Sequence, residues 1–105
     1  MDHDKFDLLK FEELVLKWSL DRKILYNSSR EAQTLKAVSE MGELADAVAK
    51  GDILSVQDAI GDVMVCLVNV AALTGTDITT CAKYAWNQIK DRKGTMLTNG
   101  VFVKE

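Results

Sequence analysis

Along most of the chain, apolar residues return after three or four positions rather than two, the spacing of one face of an α-helix. No proline interrupts the pattern, so the commonest helix breaker is missing and four helices are predicted. The first, from about Asp4 to Arg22, sets Phe6, Leu9, Glu13, Leu14, Leu16, Lys17 and Leu20 in an amphipathic pattern with Trp18 beside it. Asn27, Ser28 and Ser29 then offer side-chain oxygens that can accept a free backbone N–H at a helix start. A second helix follows from about Ser29 to Ala49 and stops at Gly51. The third begins near Ile53 and closes at Gly75, because glycine takes up the left-handed conformation that ends a helix. Asp77 caps the fourth, about Ile78 to Lys93, which Gly94 is expected to close. In the tail, Met96-Leu97-Thr98 and Val101-Phe102-Val103 flank Asn99-Gly100, a strong two-residue hairpin signal. A lone hairpin is marginal in water, so this one is expected to dock on the helices or on a neighbouring subunit.

The third helix is apolar around nearly its whole circumference, from Ile60 through Val63-Met64-Val65-Cys66-Leu67-Val68 to Val70-Ala71-Ala72-Leu73. Such a helix must be enclosed on all sides, and three other helices from one short chain do that with difficulty. Self-association into a dimer or tetramer is the simplest remedy; the alternative is a monomer with this helix at its centre. The predicted fold is an all-α, four-helix bundle-like protomer, oligomeric, with a short C-terminal β-hairpin or extended tail. Residues 1–105 are read as one domain, with a helical core over about 4–93 and a tail over 94–105.

Composition narrows the chemistry. At 105 residues, 48% hydrophobic and 28% charged, the chain reads as one soluble domain. The run Val63 to Thr76 is too short for a bilayer, which needs about 20 apolar residues, and Met1 to Lys10 is too charged for a secretory leader. A cytoplasmic protein with no membrane partner is therefore expected. A net charge of −3 gives no field to attract a polyanion, so a nucleic-acid duplex is not an expected ligand. The two cysteines, Cys66 and Cys81, lie in apolar segments and are expected to be buried. With one histidine, His3, to which no role is given, there is no Cys/His set for zinc. A metal site in this chain must be built from carboxylates, which favours magnesium or manganese.

The acids are placed for it. Glu40 and Glu43 stand three residues apart on the second helix, with Lys36 one turn earlier and Asp46 continuing the row. Asp58 and Asp62 stand four apart on the third, and Asn69 follows seven residues on. Unpaired carboxylates beside an apolar face cost several kcal/mol each, so a compensating cation is expected. Gly42 and Gly61 interrupt the helices beside these acids, which suggests close helix approach or room for a ligand. Helix-surface acids at such spacings are also common as solvated or lysine-paired groups.

The segment Lys36-Ala-Val-Ser-Glu40-Met-Gly-Glu43-Leu-Ala-Asp-Ala, followed by Asp58-Ala-Ile-Gly-Asp62-Val-Met-Val-Cys-Leu, resembles the two-part acidic signature of MazG-like nucleotide pyrophosphohydrolases. The likeness runs from about Trp18 to Lys93 and takes in Gln33, Thr74-Gly75-Thr76-Asp77-Ile78 and Trp86-Asn87-Gln-Ile-Lys90-Asp-Arg92-Lys93-Gly. The family's motifs have the forms Glu-x-x-Glu and Glu-x-x-Asp, and four acids hold magnesium. Glu40, Glu43 and Asp62 match three of them. Ala59 stands where the fourth belongs, and Asp58 faces Asp62 across one turn, rotated by about 100° from that position. Ser39 replaces a glutamate that many members carry. The variant is similar to small phage-type members.

The resemblance implies an all-α enzyme that cleaves a nucleoside triphosphate between its α and β phosphates, giving a monophosphate and pyrophosphate. It implies Mg2+, with Mn2+ as an alternative, held by Glu40, Glu43, Asp62 and Asp58, and Glu40 or Glu43 as the group that takes a proton from water. Lys36, Lys90, Arg92 and Lys93 are candidates for holding phosphates, Asn87 for a phosphate or sugar, and Trp18 for stacking on a base. Two other readings stay open: a helical oligomerisation or regulatory module without catalysis, motivated by Ala59 and Ser39, and a partner-binding protein that uses the hairpin edge.

Overall fold

Side-chain caps fix where the helices begin. The computed structural model describes residues 5–105, so His3 and the predicted start at Asp4 lie outside the described residues. Asp7 accepts from Lys10 N and opens α1, Leu8–Asp21. Lys23, in the left-handed region at φ 63°, breaks the chain into a further single turn that the apolar spacing did not announce, α2, Ile24–Asn27. Ser29 caps α3, Arg30–Lys50, through Ala32 N. Asp52 caps α4, Ile53–Thr74, and Asp77 caps α5, Ile78–Ile89. Gly51 and Gly75, at φ 72° and 86°, close α3 and α4 in the conformation that only glycine adopts cheaply.

The C-terminal end departs from expectation. Helix α5 stops at Ile89, four residues short of the predicted Lys93, and Gly94 begins a strand instead of closing a helix. Strands β1, Gly94–Met96, and β2, Phe102–Lys104, pair antiparallel with Gly94 opposite Lys104 and Met96 opposite Phe102. A Cβ at position 94 would run into the Phe102 ring and the Val103 carbonyl, which is why glycine stands there. The hairpin loop is three residues long, not two. Gly100 N donates to Leu97 O at 3.0 Å, Leu97 N to Val101 O at 2.8 Å, and Gly100 takes φ 88°, so Thr98-Asn99 forms the turn and Gly100 is the left-handed residue that follows it.

Helices α3 and α4 pair antiparallel along their lengths and α1 crosses α4. Beyond Ile78, by contrast, every residue of α5 is exposed. The chain is thus three packed helices with an arm made of α5 and the hairpin, and its radius of gyration, 16.2 Å, exceeds the about 13 Å of a compact chain of this length. Cys81, expected inside, is exposed for this reason, while Cys66 is buried. Gly42 and Gly61 do not mark close helix approach, since a Cβ at either would meet nothing within 4 Å.

The face that α1 turns inward also differs from the predicted stripe. Glu12, Val15 and Ser19 are buried, whereas Phe6, Leu9, Leu14 and Leu20 are exposed. Two of the three buried residues are polar and both are satisfied. Glu12 Oε2 accepts from Ile78 N at 2.7 Å, tying α1 to the start of α5, and Ser19 Oγ donates to Asn69 Oδ1 at 2.6 Å. Asn69 Nδ2 donates on to half-buried Gln33 Oε1, linking α1, α4 and α3 in one chain of hydrogen bonds. Counting apolar residues could not find that face. Replacing Asn69 with Leu leaves the Ser19 hydroxyl without its acceptor, and thermal or urea unfolding should report a loss of about 1–3 kcal/mol.

Helix α4 is long and apolar enough to cross a membrane by length and composition, with 22 residues and a mean hydropathy of 1.6 over its best window. The uncharged run alone had suggested otherwise. Two aspartates, each costing about 2.5–3.5 kcal/mol at a bilayer centre, oppose that use. Here both face a cleft shared with α3.

Candidate active site

The pairing of α3 with α4 brings the acids together. Gln33 meets Asn69 at one level, and seven residues along each helix, about 10 Å away, Glu40 meets Asp62. Glu40, Glu43 and Asp62 each place a carboxylate oxygen within 4.8 Å of the others. Glu40 is buried, Asp62 half-buried and Glu43 exposed, so the group runs from the helix interface outward to solvent. Lys36 Nζ lies 3.2 Å from Glu40 Oε1, and Glu40 Oε2 is buried with no hydrogen-bond partner.

That orphaned oxygen tests whether a cation suits the site. Leaving a buried acceptor unmade costs about 1–3 kcal/mol, more when it is charged, and Lys36 reaches only the other oxygen. A hard divalent ion that takes only oxygen ligands would satisfy Oε2 and join it to Glu43 and Asp62. The donor set fits magnesium or manganese and lacks the sulfur or imidazole that would favour zinc.

Crowding shows in the titration of these groups. Glu43 is raised above the ordinary glutamate value, first because once protonated it can share that proton with the adjacent Glu40 carboxylate, and then by that carboxylate's charge. Glu40 is lowered, first by the proton that Glu43 can offer it and then by the hydrogen bond from Lys36. Asp62 is raised by desolvation, then by the charges of Asp58 and Glu40. Burial likewise pushes the Cys66 thiol up, which makes it a poor nucleophile.

These shifts set a pH dependence. Glu43 and Asp62 bind protons more tightly folded than unfolded, so the stability of the metal-free protein falls as pH rises from the ordinary carboxylate range through their raised values. Glu40 acts in a lower window: its depressed value gives stability that is lost as pH falls below the ordinary range. A divalent ion held there would compete with the protons on Glu43 and Asp62 and cancel their repulsion. The rise in Tm on adding Mn2+ should therefore be larger at about pH 8 than at about pH 5, as thermal melts would show.

The other predicted residues are distributed unevenly. Asp58 does not join the group of three, because its position on α4 is rotated from the one facing α3, which buried Ala59 occupies. It lies further along the same cleft, of about 360 Å3, with Glu43, Asp46 and Asp62. Lys50 and Ser55 line that cleft too, and no sequence signal had singled them out. Trp18 lies in a second cleft, of about 430 Å3, that reaches Asp62 and is otherwise lined by Phe6, Phe11, Leu14, Val15 and Val65. Of that lining, the predicted stripe had included only Phe6 and Leu14. Asn87, Lys90, Arg92 and Lys93 are not brought to the acids. Arg92 and Lys93 instead border an open hollow with Gln88, Asp91, Lys104 and Glu105.

Fold and site together define a helical protein with a carboxylate cleft on paired antiparallel helices. The chain belongs to the MazG nucleotide pyrophosphohydrolase domain family, which matches residues 28–97. It is 34% identical over 65 residues to an uncharacterized 18.2 kDa protein from the rep-hol intergenic region of Haemophilus phage HP1 (strain HP1c1). That match covers 62% of this chain and 40% of the phage protein, so the chain spans less than half the length of this relative. Among solved structures it is similar to the cyanophage S-2L MazG-like pyrophosphohydrolase, solved bound to dGDP and three catalytic Mn2+ ions per active site. The TM-score is 0.72 at 18% identity, over 96% of this chain and 99% of that one, a likeness of fold.

Proposed function

We propose that the protein is a divalent-metal-dependent nucleotide pyrophosphohydrolase that cleaves a nucleoside triphosphate between its α and β phosphates. Water adds to phosphorus, the bridging P–O bond breaks, and a monophosphate and pyrophosphate leave. The observation that carries this reading is the convergence of Glu40, Glu43 and Asp62 around a buried carboxylate oxygen that has no partner. Family membership and the nucleotide and Mn2+ bound by the cyanophage protein support it.

Glu40, Glu43 and Asp62 would hold Mg2+ or Mn2+, with Asp58 close enough to bear on Asp62 electrostatically. When bound, the ion supplies charge neutralisation on phosphate oxygens and acidifies water. Glu43, the exposed member, can exchange a proton with solvent, and its raised pKa suits a group that takes a proton from attacking water. Lys36 fixes Glu40 in place, and its exposed ammonium beside the acids would be free to meet a phosphate. The apolar cleft beside Asp62 would take the base, with Trp18 as its largest flat surface.

A homo-oligomer completes this picture. Leu35, Val38, Met41, Ile53, Leu54 and α5 beyond Ile78 leave apolar surface exposed that a second copy would cover, and a neighbouring arm offers a route by which Asn87, Lys90, Arg92 and Lys93 could reach a cleft they do not reach in their own chain.

Ala59, in place of the family's fourth acid, motivates a second reading as a regulatory module without catalysis. A panel of ribo- and deoxynucleoside triphosphates with Mg2+ or Mn2+, and product identification, separates the two. Pyrophosphate and monophosphate in equal amounts are expected. Release of orthophosphate alone would reject the proposed reaction, and no turnover together with no thermal stabilisation by metal and nucleotide would favour the second reading.

A further inference from the structure

Trp18 does not stand alone in its cleft. One helical turn on, Arg22 lays its guanidinium over the indole, with Cζ 4.6 Å from the ring centroid. Its Nη1 also donates to the Trp18 carbonyl at 3.4 Å, and its backbone N–H closes α1 on the carbonyls of Trp18 and Leu20. Among the described residues no carboxylate forms an ion pair with Arg22. The cation therefore rests on the ring and on the negative end of its own helix, two sites that hold it in one place.

We propose that Arg22 is a positioning residue that braces Trp18, so that the indole meets the nucleotide base as a fixed wall. This rests on the reading of the apolar cleft as the base site. A planar ring has two faces, and a guanidinium on one leaves the other for a base. Without the brace, Trp18 is a half-exposed side chain on a helix surface, and binding a base must first order it. A braced ring has lost that freedom in advance. The rest of the cleft lining is aliphatic or phenyl apart from Asp62, so stacking is the main contact available to a base there, and the fixing of Trp18 bears directly on affinity.

The consequence is specific to the base. Changing Arg22 to Ala should raise KM for a purine nucleoside triphosphate about two- to fivefold, as expected for loss of a surface cation–π contact, with kcat little changed. The effect should be smaller for a pyrimidine, which offers less stacking area. Inhibition by inorganic tripolyphosphate, which carries no base, should be unaltered.

A readout that needs no turnover accompanies this. In a Trp86→Phe chain Trp18 is the one indole left, and a purine nucleotide with Mg2+ should quench its emission; adding Arg22→Ala should weaken the apparent affinity by the same factor. An unchanged KM and an unchanged quenching curve would overturn the proposal. An equal weakening of tripolyphosphate would overturn it in favour of a phosphate-holding arginine. Because quenching reports binding alone, it judges Arg22 even if the acid cleft proves to catalyse nothing, and an inactive enzyme that still shows the Arg22-dependent quenching would reject the reaction but keep the brace.

Discussion

Changing Glu43 to Gln should lower pyrophosphate release by on the order of 10³-fold or more, beyond the 10–100-fold that loss of an outer partner of a metal site brings. Gln keeps the shape of the side chain and one oxygen but removes the charge and the ability to accept a proton. Glu43 is also the exposed member of the acid group, so the exchange leaves no hole in the core. Stability should move the other way. Glu43 sits among carboxylates that resist its ionisation, Glu40 first, and a neutral amide removes that repulsion. The metal-free variant should therefore melt at the same temperature as the parent or higher near neutral pH, while the gain in Tm on adding Mn2+ shrinks. Activity assay and thermal melts together test this. Pyrophosphate release that survives the exchange would remove the site from Glu43.

The second large effect concerns assembly. Cys81, Ala82, Ala85, Trp86 and Ile89 form an apolar stripe on α5, all exposed on the single chain. If a second copy covers that stripe, glutamates at positions 85 and 89 would each be forced into an apolar contact, at several kcal/mol apiece. The double variant Ala85→Glu, Ile89→Glu should fall from an oligomeric mass toward the 11.7 kDa of one chain in light scattering. Its far-UV helix signal should persist, because Ala85 and Ile89 are both exposed and neither belongs to the core. An oligomer of unchanged mass would place the interface elsewhere, on Leu35, Val38 and Met41 of α3 or on the start of α4.

Much of the fold was legible because its signals are local. Ser29, Asp52 and Asp77 each bond a backbone N–H two or three residues on, and Gly51 and Gly75 each need only their own φ, so a few neighbouring residues decide where α3 and α4 start and stop. The end of α5 was misread because Gly94 looks like a helix stop along the chain. Its reason is the Phe102 ring packed against it from the opposite strand. The inward face of α1 was hidden in the same way: Glu12 and Ser19 read as surface residues until Ile78 N and Asn69 supply their partners.

The site divides along the same line. Sequence alone determined that any cation bound by this chain must be held by oxygen, since there are too few cysteines and histidines for anything softer, and it placed the acids on two helices at one-turn spacings. It could not determine which acids meet. That depends on the register of α3 against α4 and on the rotation of each helix, fixed by packing and by the Gln33–Asn69 contact between residues 36 apart. Only the tertiary structure drew Glu40, Glu43 and Asp62 into one group, left Asp58 beside it, and opened the Trp18 cleft next to Asp62. Periodicity tells which residues share a face of one helix; a site between helices belongs to neither sequence segment, because it exists only once two faces have been turned toward each other.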